Sequence, residues 1–164
     1  MILGLDIAQF TALHVAISLV AIATGIVVML AFASGRVRVR FLTGLFLVTT
    51  AATTITGFLF PIRAITPALI TGIVSTPVLA VAFIAVYRYR LKGRARAIYA
   101  VSASLALYLN LLAFVTQAFL KVPSLHALAP QGTETPFLAA QLATLAAMIA
   151  LGIRTFSVAR RTAA

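Results

Sequence analysis

Long runs of apolar residues alternate with short polar segments along this chain. Five runs lie at about residues 8–33, 41–60, 67–87, 97–120 and 136–153, and each is close to the ~20 residues that an α-helix needs to cross a bilayer. A backbone segment in hydrocarbon must form its hydrogen bonds internally, so each run predicts a membrane-spanning helix. The pattern therefore predicts an all-α integral membrane protein in which residues 1–164 form one domain, a bundle of five transmembrane helices.

Two of the predicted helix starts share a dipeptide. Thr66-Pro67 opens the third run and Thr135-Pro136 opens the fifth. A threonine hydroxyl can cap the first turn of a helix, and proline is tolerated at the first helical position because its missing N–H has no intrahelical partner there. Both dipeptides therefore predict a threonine cap followed by a helix.

Composition favours lipid over water as the surrounding medium. Apolar residues make up 63% of the chain and charged residues 9%, with a mean hydropathy of +1.14. A soluble domain carries roughly 25% charged residues because its surface faces water. Most of this surface is therefore expected to face the membrane, and because the N-terminal segment lacks the basic region of a signal peptide, the first run is expected to remain as a helix.

The basic residues predict the orientation of the bundle. The formal net charge is +11, from 13 Lys and Arg against two acidic residues. Most of the basic residues follow the first, third and fifth runs, as Arg36, Arg38 and Arg40, then Arg88, Arg90, Lys92, Arg94 and Arg96, then Arg154, Arg160 and Arg161. Short basic loops are retained on the cytoplasmic side, which predicts a bacterial inner-membrane protein with its N-terminus outside, its C-terminus inside and residues 121–135 as an outer loop. The expected partner of the basic groups is the anionic headgroup layer rather than nucleic acid.

Few kinds of catalytic chemistry are open to this chain. It contains no cysteine, which excludes disulfides, thiolate metal sites and cysteine nucleophiles. Its only carboxylates, Asp6 and Glu134, lie outside the long apolar runs. The sequence predicts no catalytic residues and no metal site, and zinc held by His14, His126 and Glu134 is left only as a formal alternative.

Polar side chains concentrate in the outer half of the predicted bundle. In the first run His14, Ser18, Ala21 and Gly25 share one helical face, which suits close packing against another helix. In the fourth run Asn110, Gln117 and Lys121 share a stripe along one face. The outer loop carries Pro123 and Pro130, which make a helix around its histidine improbable. We expect a polar pocket that opens on the periplasmic side and is lined by His14, Ser18, Arg63, Asn110, Gln117, Lys121, His126, Glu134 and Gln141.

These features favour a non-enzymatic membrane protein, either homo-oligomeric or an accessory subunit of a membrane complex, with channel or small-solute binding as its transport-related roles. One face of the last run is rich in alanine and suits a helix of a second copy or of another membrane subunit; it carries Ala139, Ala143, Ala146, Ala147 and Ala150. The alternative is a membrane redox protein that binds haem or quinone through His14. A bis-histidine haem would need the loop with His126 to fold over the first helix, and no other cofactor is indicated.

Overall fold

A computed structural model of the chain describes residues 1–36, 39–61 and 65–161, and this part of the chain is helical, with no β-strand. The helices are α1 (Ile7–Ala33), α2 (Arg40–Phe58), α3 (Pro67–Phe83), α4 (Ala95–Lys121), α5 (Pro123–Leu128) and α6 (Thr135–Arg161). Within the described ranges, five of these helices, all but α5, are long and apolar enough to cross a membrane. The predicted number of long helices is therefore confirmed.

The helix ends differ from the predicted spans most clearly at α6. The last apolar run ends near residue 153, whereas α6 continues to Arg161 and carries Arg154 within its length. Hydropathy reports where a sequence stops being compatible with hydrocarbon, but helical hydrogen bonding does not require apolar side chains. The final turns of α6 therefore extend the helix past the apolar run.

The prediction against a helix around His126 is wrong, because Pro123–Leu128 forms the short helix α5. Pro123 lies at the first helical position, where proline is well tolerated, and the amide of His126 donates to the carbonyl of Val122 at 2.8 Å. The second proline, Pro130, lies beyond the end of α5 and does not interrupt it. The connection from α4 to α6 is therefore part helix and part turn.

The predicted threonine cap is confirmed at α3 and displaced by one residue at α6. The hydroxyl of Thr66 accepts a hydrogen bond from the amide of Leu69 at 3.2 Å, with Pro67 following it. In α6 the helix already includes Thr135, and the carbonyl of Glu134 accepts from the amide of Leu138 at 3.1 Å. Glu134 therefore precedes the first turn, where a negative side chain is favoured by the positive end of the helix dipole.

Helix α3 contains Pro77 without ending there, and it closes with a wider turn. The hydroxyl of Thr76 donates to the carbonyl of Gly72 at 3.0 Å, which adds a local bond one turn before the proline. Residues Ile84–Arg88 form a π-helical turn, in which the amide of Tyr89 reaches the carbonyl of Ile84 at 3.2 Å. A π-turn widens the end of a helix, and here it leads directly into the basic connection to α4.

Helix α4 is the central helix of the bundle. It packs against α1, α3 and α6, while α2 packs on α1 and α3, and α1 also contacts α6. Buried small residues let the neighbouring backbones approach α4; they include Ala95, Ala100, Ala103, Ser104 and Ala106. Lipid tails are as apolar as side chains, so close van der Waals packing of this kind, rather than exclusion from water, stabilises helix pairs in a membrane.

The two ends of the bundle differ in charge. One end carries the basic residues that follow α1, α3 and α6, including Arg36, Arg88 and Arg160, and is called the basic end below. The other carries α5 with the chain's only two acidic residues, Asp6 before α1 and Glu134 before α6, and is called the α5 end. The two ends therefore offer different surfaces for polar chemistry.

Candidate functional site

His14 is bound to the neighbouring helix at the α5 end. Its Nδ1 atom lies 2.7 Å from the hydroxyl oxygen of Thr56, which itself lies 2.7 Å from the carbonyl oxygen of Ala52. A hydroxyl has one hydrogen and two lone pairs, so a threonine that donates to its own helix accepts from the histidine. This geometry favours the tautomer with the proton on Nδ1, which leaves Nε2 as the acceptor nitrogen.

Aromatic rings enclose one side of His14. The ring of Phe60 meets the imidazole edge-on at a centroid distance of 5.4 Å, and Phe10 meets Phe60 in the same way at 5.0 Å. Phe10 is fully buried and His14 is half-buried. Lys121 lies at the end of α4, at the same end of the bundle as His14.

The predicted face of α1 is a packing face. Ser18 uses its hydroxyl within its own helix, donating to the carbonyl of His14 at 2.7 Å. One and two turns further on, Ala21 and Gly25 are buried. The small residues of this face therefore allow α1 to approach its neighbours, as the spacing predicted, and Ser18 is not directed to a ligand.

Two more predicted residues join helices at other positions in the bundle. Asn110 of α4 donates from Nδ2 to the hydroxyl of Thr50 on α2 at 3.2 Å. Gln141 of α6 donates from Nε2 to the hydroxyl of Thr116 on α4 at 2.9 Å and to the carbonyl of Leu112 at 3.3 Å. The other amide atom of Gln141, Oε1, is buried without a hydrogen-bond partner. These amides connect pairs of helices, and they do so at interfaces different from that of His14.

The remaining predicted pocket residues lie on the surface or outside the described ranges. Gln117, Lys121 and His126 are exposed, so the predicted stripe on α4 turns away from the bundle after Asn110. Arg63 lies outside the described residues. The eight candidates that the structure describes lie at different helix interfaces or on the surface, because helical periodicity predicts a shared face but not the direction in which that face points.

Glu134 organises the turn that precedes α6. Its two carboxylate oxygens accept from the backbone amides of Gln131 and Thr133, each at 2.9 Å. Hydrogen bonds to the charged form, first of all the one from Gln131, hold the pKa of Glu134 below its usual value. Both oxygens of the carboxylate are therefore engaged in hydrogen bonds within this turn. Within the described residues no cluster of three or more His, Cys, Asp or Glu side chains could hold a metal, so His14, His126 and Glu134 do not assemble a zinc site.

A groove at the basic end was not predicted from the sequence. It encloses about 880 Å³ between α3, α4 and α6. Its walls are apolar, and its lining residues are Val78, Val81, Gly93, Arg94, Ala97, Ile98, Val101, Ser102, Leu105, Phe156 and Arg160. The sequence offers only one signal for it, an apolar face of α4 that begins at a basic residue, and that signal is common to many helices that end at a membrane surface.

No family model, curated protein or solved structure matches this chain.

The surface of α6 that points away from the bundle carries five exposed alanines beside larger exposed side chains such as Leu142, Ile149 and Ile153. Only 6% of the residues in the most apolar stretch of α6 are buried inside the bundle, against 44% in the corresponding stretch of α4. The residues that pack inward are on one side and include Gln141, Met148 and Thr155. At 100° per residue, the exposed alanines fall on the opposite side of the helix; they are Ala139, Ala143, Ala146, Ala147 and Ala150. α6 therefore has one face packed in the chain and a second face, with the alanines at its centre, left uncovered.

Proposed function

We propose that this chain is a non-enzymatic, multi-pass subunit of a membrane assembly, and that it associates with a second copy of itself through the alanine face of α6. The observation that supports this proposal most directly is the position of the alanines, opposite the packed face of the same helix. Alanines at small-xxx-small spacing, as at Ala139 and Ala143 or Ala146 and Ala150, let two helix backbones come close enough for dense packing in lipid.

The polar contacts inside the bundle agree with a structural role. His14, Asn110 and Gln141 each bond to a threonine of a neighbouring helix. Interhelical bonds of this type fix helix positions in a membrane and contribute on average ~0.6 kcal/mol each in measured cases. A scaffold subunit requires such a fixed bundle, whereas a carrier requires helices that move against each other.

Cysteine crosslinking in native membranes tests the assembly. Because the chain has no cysteine of its own, Ala146→Cys provides a single thiol on the alanine face, and Ile73→Cys provides a control thiol on an exposed position of α3. We expect a disulfide-linked dimer from the first variant and monomer from the second. A bond to a different protein would identify an accessory subunit, and monomer from both variants would contradict the proposal.

The proposed orientation places the basic end in the cytoplasm and the α5 end in the periplasm of a bacterial inner membrane. The distribution of Arg and Lys supports it. A membrane-impermeant maleimide on intact spheroplasts should label Gln131→Cys, between α5 and α6, and spare Lys92→Cys, between α3 and α4. The reverse labelling would invert the topology.

We also propose that the α5 end presents a small polar site made by His14 and Lys121. It is supported by the exposure of Lys121 and by the assignment of Nε2 as the acceptor nitrogen of His14. Solute flux through proteoliposomes should change with His14→Leu and not with Ser18→Ala, since the Ser18 hydroxyl is bonded within α1. Equal flux in the two variants would remove this site from the proposal.

A further inference from the structure

The groove at the basic end exists because the helices around α4 do not close. α3 and α6 both pack extensively on α4, whereas neither packs extensively on the other. This leaves one face of α4 accessible along its first half, with Val78 and Val81 of α3 on one side and Phe156 of α6 on the other. The opening therefore results from the arrangement of the helices around α4 and not from a gap in a loop.

Positive charge is concentrated at one end of this groove. Arg94 precedes α4, and Arg160 lies in the last turn of α6, with its guanidinium carbon 5.8 Å from the ring centroid of Phe156. The only acidic side chains in the sequence are those of Asp6 and Glu134 at the opposite end, so no aspartate or glutamate neutralises the two arginines. The positive end of the α4 dipole is directed to the same place, and the first turn of α4 contains no acidic residue.

Below the arginines the groove is apolar. The α4 residues that line it, such as Ala97, Val101 and Leu105, follow helical spacing along one face. Ser102 also lines the groove, but its hydroxyl donates to the carbonyl of Ile98 at 2.9 Å and is already satisfied. The apolar part of the groove is therefore suited to an apolar ligand group, because the hydroxyl that lines it is already hydrogen-bonded.

The length of the groove matches one leaflet of a bilayer. From Arg94 to Leu105 is eleven residues, which at ~1.5 Å per residue corresponds to roughly 16 Å along α4. The hydrocarbon core of a bilayer is ~30 Å thick, so this is about the depth of one acyl layer. Guanidinium groups at the headgroup level and aliphatic side chains along the acyl layer complement an amphiphile with an anionic head and an extended tail.

We infer that this groove binds an anionic phospholipid, with its phosphate between Arg94 and Arg160 and one acyl chain along α4. Guanidinium groups pair with phosphate oxygens through several N–H donors at once. Gly93, whose missing side chain leaves open space at the mouth, keeps the approach to the two arginines unobstructed. The inference concerns a face of α6 different from its alanine face and does not depend on self-association.

Native mass spectrometry on the full chain tests the inference. The protein is reconstituted in nanodiscs with equimolar phosphatidylglycerol and phosphatidylcholine and is then released into mild detergent. We expect retained phosphatidylglycerol to exceed phosphatidylcholine. Arg94→Gln with Arg160→Gln should lower that enrichment by roughly five-fold or more for each arginine, whereas Arg90→Gln with Arg161→Gln removes the same charge outside the groove and should leave it unchanged. Equal loss in both pairs would show diffuse surface attraction and overturn the inference.

A groove-filling variant and a photocrosslinker test whether the lipid binds in the groove itself and not on the surrounding surface. Ala97→Trp fills the groove without changing charge and should abolish retention of lipid, provided that its thermal unfolding midpoint in detergent equals that of the unsubstituted protein; if the midpoint falls, the smaller Ala97→Leu takes its place. A photoreactive benzoylphenylalanine at position 105 should crosslink to lipid. Crosslinking to a second copy of the chain, or full retention of lipid in the filled variant, would overturn the inference.

Discussion

A β-carbon added at Gly25 would lie 2.7 Å from the Cε2 atom of Phe46 and 2.9 Å from Cδ1 of Leu107. Phe46 belongs to α2 and Leu107 to α4, and both side chains are fully buried. The missing side chain of Gly25 is therefore what lets α1 reach its two neighbours at this level.

Gly25→Ala should destabilise the bundle by about 1–3 kcal/mol, because overpacking forces buried side chains from their preferred rotamers. Gly152→Ala is the matched control, since a β-carbon there meets Ser104 at 3.5 Å, an ordinary contact. That control should be neutral or stabilising by up to ~1 kcal/mol through helix propensity. Reversible unfolding in bicelles gives both free energies, and equal losses would show that Gly25 is not a special point of contact.

The bond between His14 and Thr56 should appear as a coupling energy of about 0.6 kcal/mol, the mean for interhelical hydrogen bonds in membranes. A double-mutant cycle with His14→Phe and Thr56→Val measures it in the same unfolding assay. A second cycle, Ser18→Ala with Thr56→Val, should give a coupling near zero because the Ser18 hydroxyl bonds within α1. Coupling energies of the same size in both cycles would contradict a specific bond between His14 and Thr56 and would indicate that the substitutions weaken the whole α1–α2 contact.

Titration of Glu134 should have its midpoint below that of an ordinary glutamate. Its pKa is lowered, first by the hydrogen bond from the amide of Gln131. A group whose pKa is depressed in the folded state adds stability above its unfolded pKa, and this is lost as the pH falls through the folded pKa. The turn before α6 should therefore loosen only in acid.

Carboxyl carbon shifts measured by NMR in bicelles report the midpoint of Glu134 directly. The amide signals of Gln131 and Thr133 should move with the same midpoint, and in Glu134→Gln they should be flat across that range. A midpoint at the ordinary glutamate value would mean that the two amide bonds do not hold the carboxylate.

Arg154 should stabilise the end of α1. Its Nε atom donates to the carbonyl of Ala33 at 3.2 Å, and that carbonyl lies in the last turn, where no intrahelical donor is available. We expect Arg154→Gln to cost about 1 kcal/mol and to speed amide exchange at Ser34 and Gly35. Arg161→Gln, which removes the same charge from the same helix, should leave that exchange unchanged.

The sequence predicts which segments form the long helices, because each helix must present an apolar surface over a fixed length. It does not predict how those helices are rotated. The stripe from Asn110 to Lys121 is correct as a helical face, yet only Asn110 points toward another helix. The rotation of α4 depends on how its buried small residues fit the surfaces of the neighbouring helices, and one segment read alone does not contain that information.

The hydrogen-bond partners that side chains find on other helices could not be predicted from the sequence, for the same reason. Threonine is frequent here and mostly bonds its own preceding turn, as Thr49 and Thr144 do, so nothing in the sequence distinguishes Thr56 or Thr50 as the acceptor of a distant side chain. The groove at the basic end was not predicted because it results from the space between α3 and α6, which do not pack extensively on each other. A gap between two helices is a property of the assembled bundle and not of either segment.

The bond between Arg154 and Ala33 joins residues 121 positions apart in the chain. During synthesis, α1 emerges long before α6, so the last carbonyls of the first helix have no donor from Arg154 until 121 further residues have been added. A nascent chain released before α6 would keep that helix end unsealed. We expect such truncated products to be recognised and degraded faster than chains that contain α6, because the end of α1 is capped only when Arg154 is present.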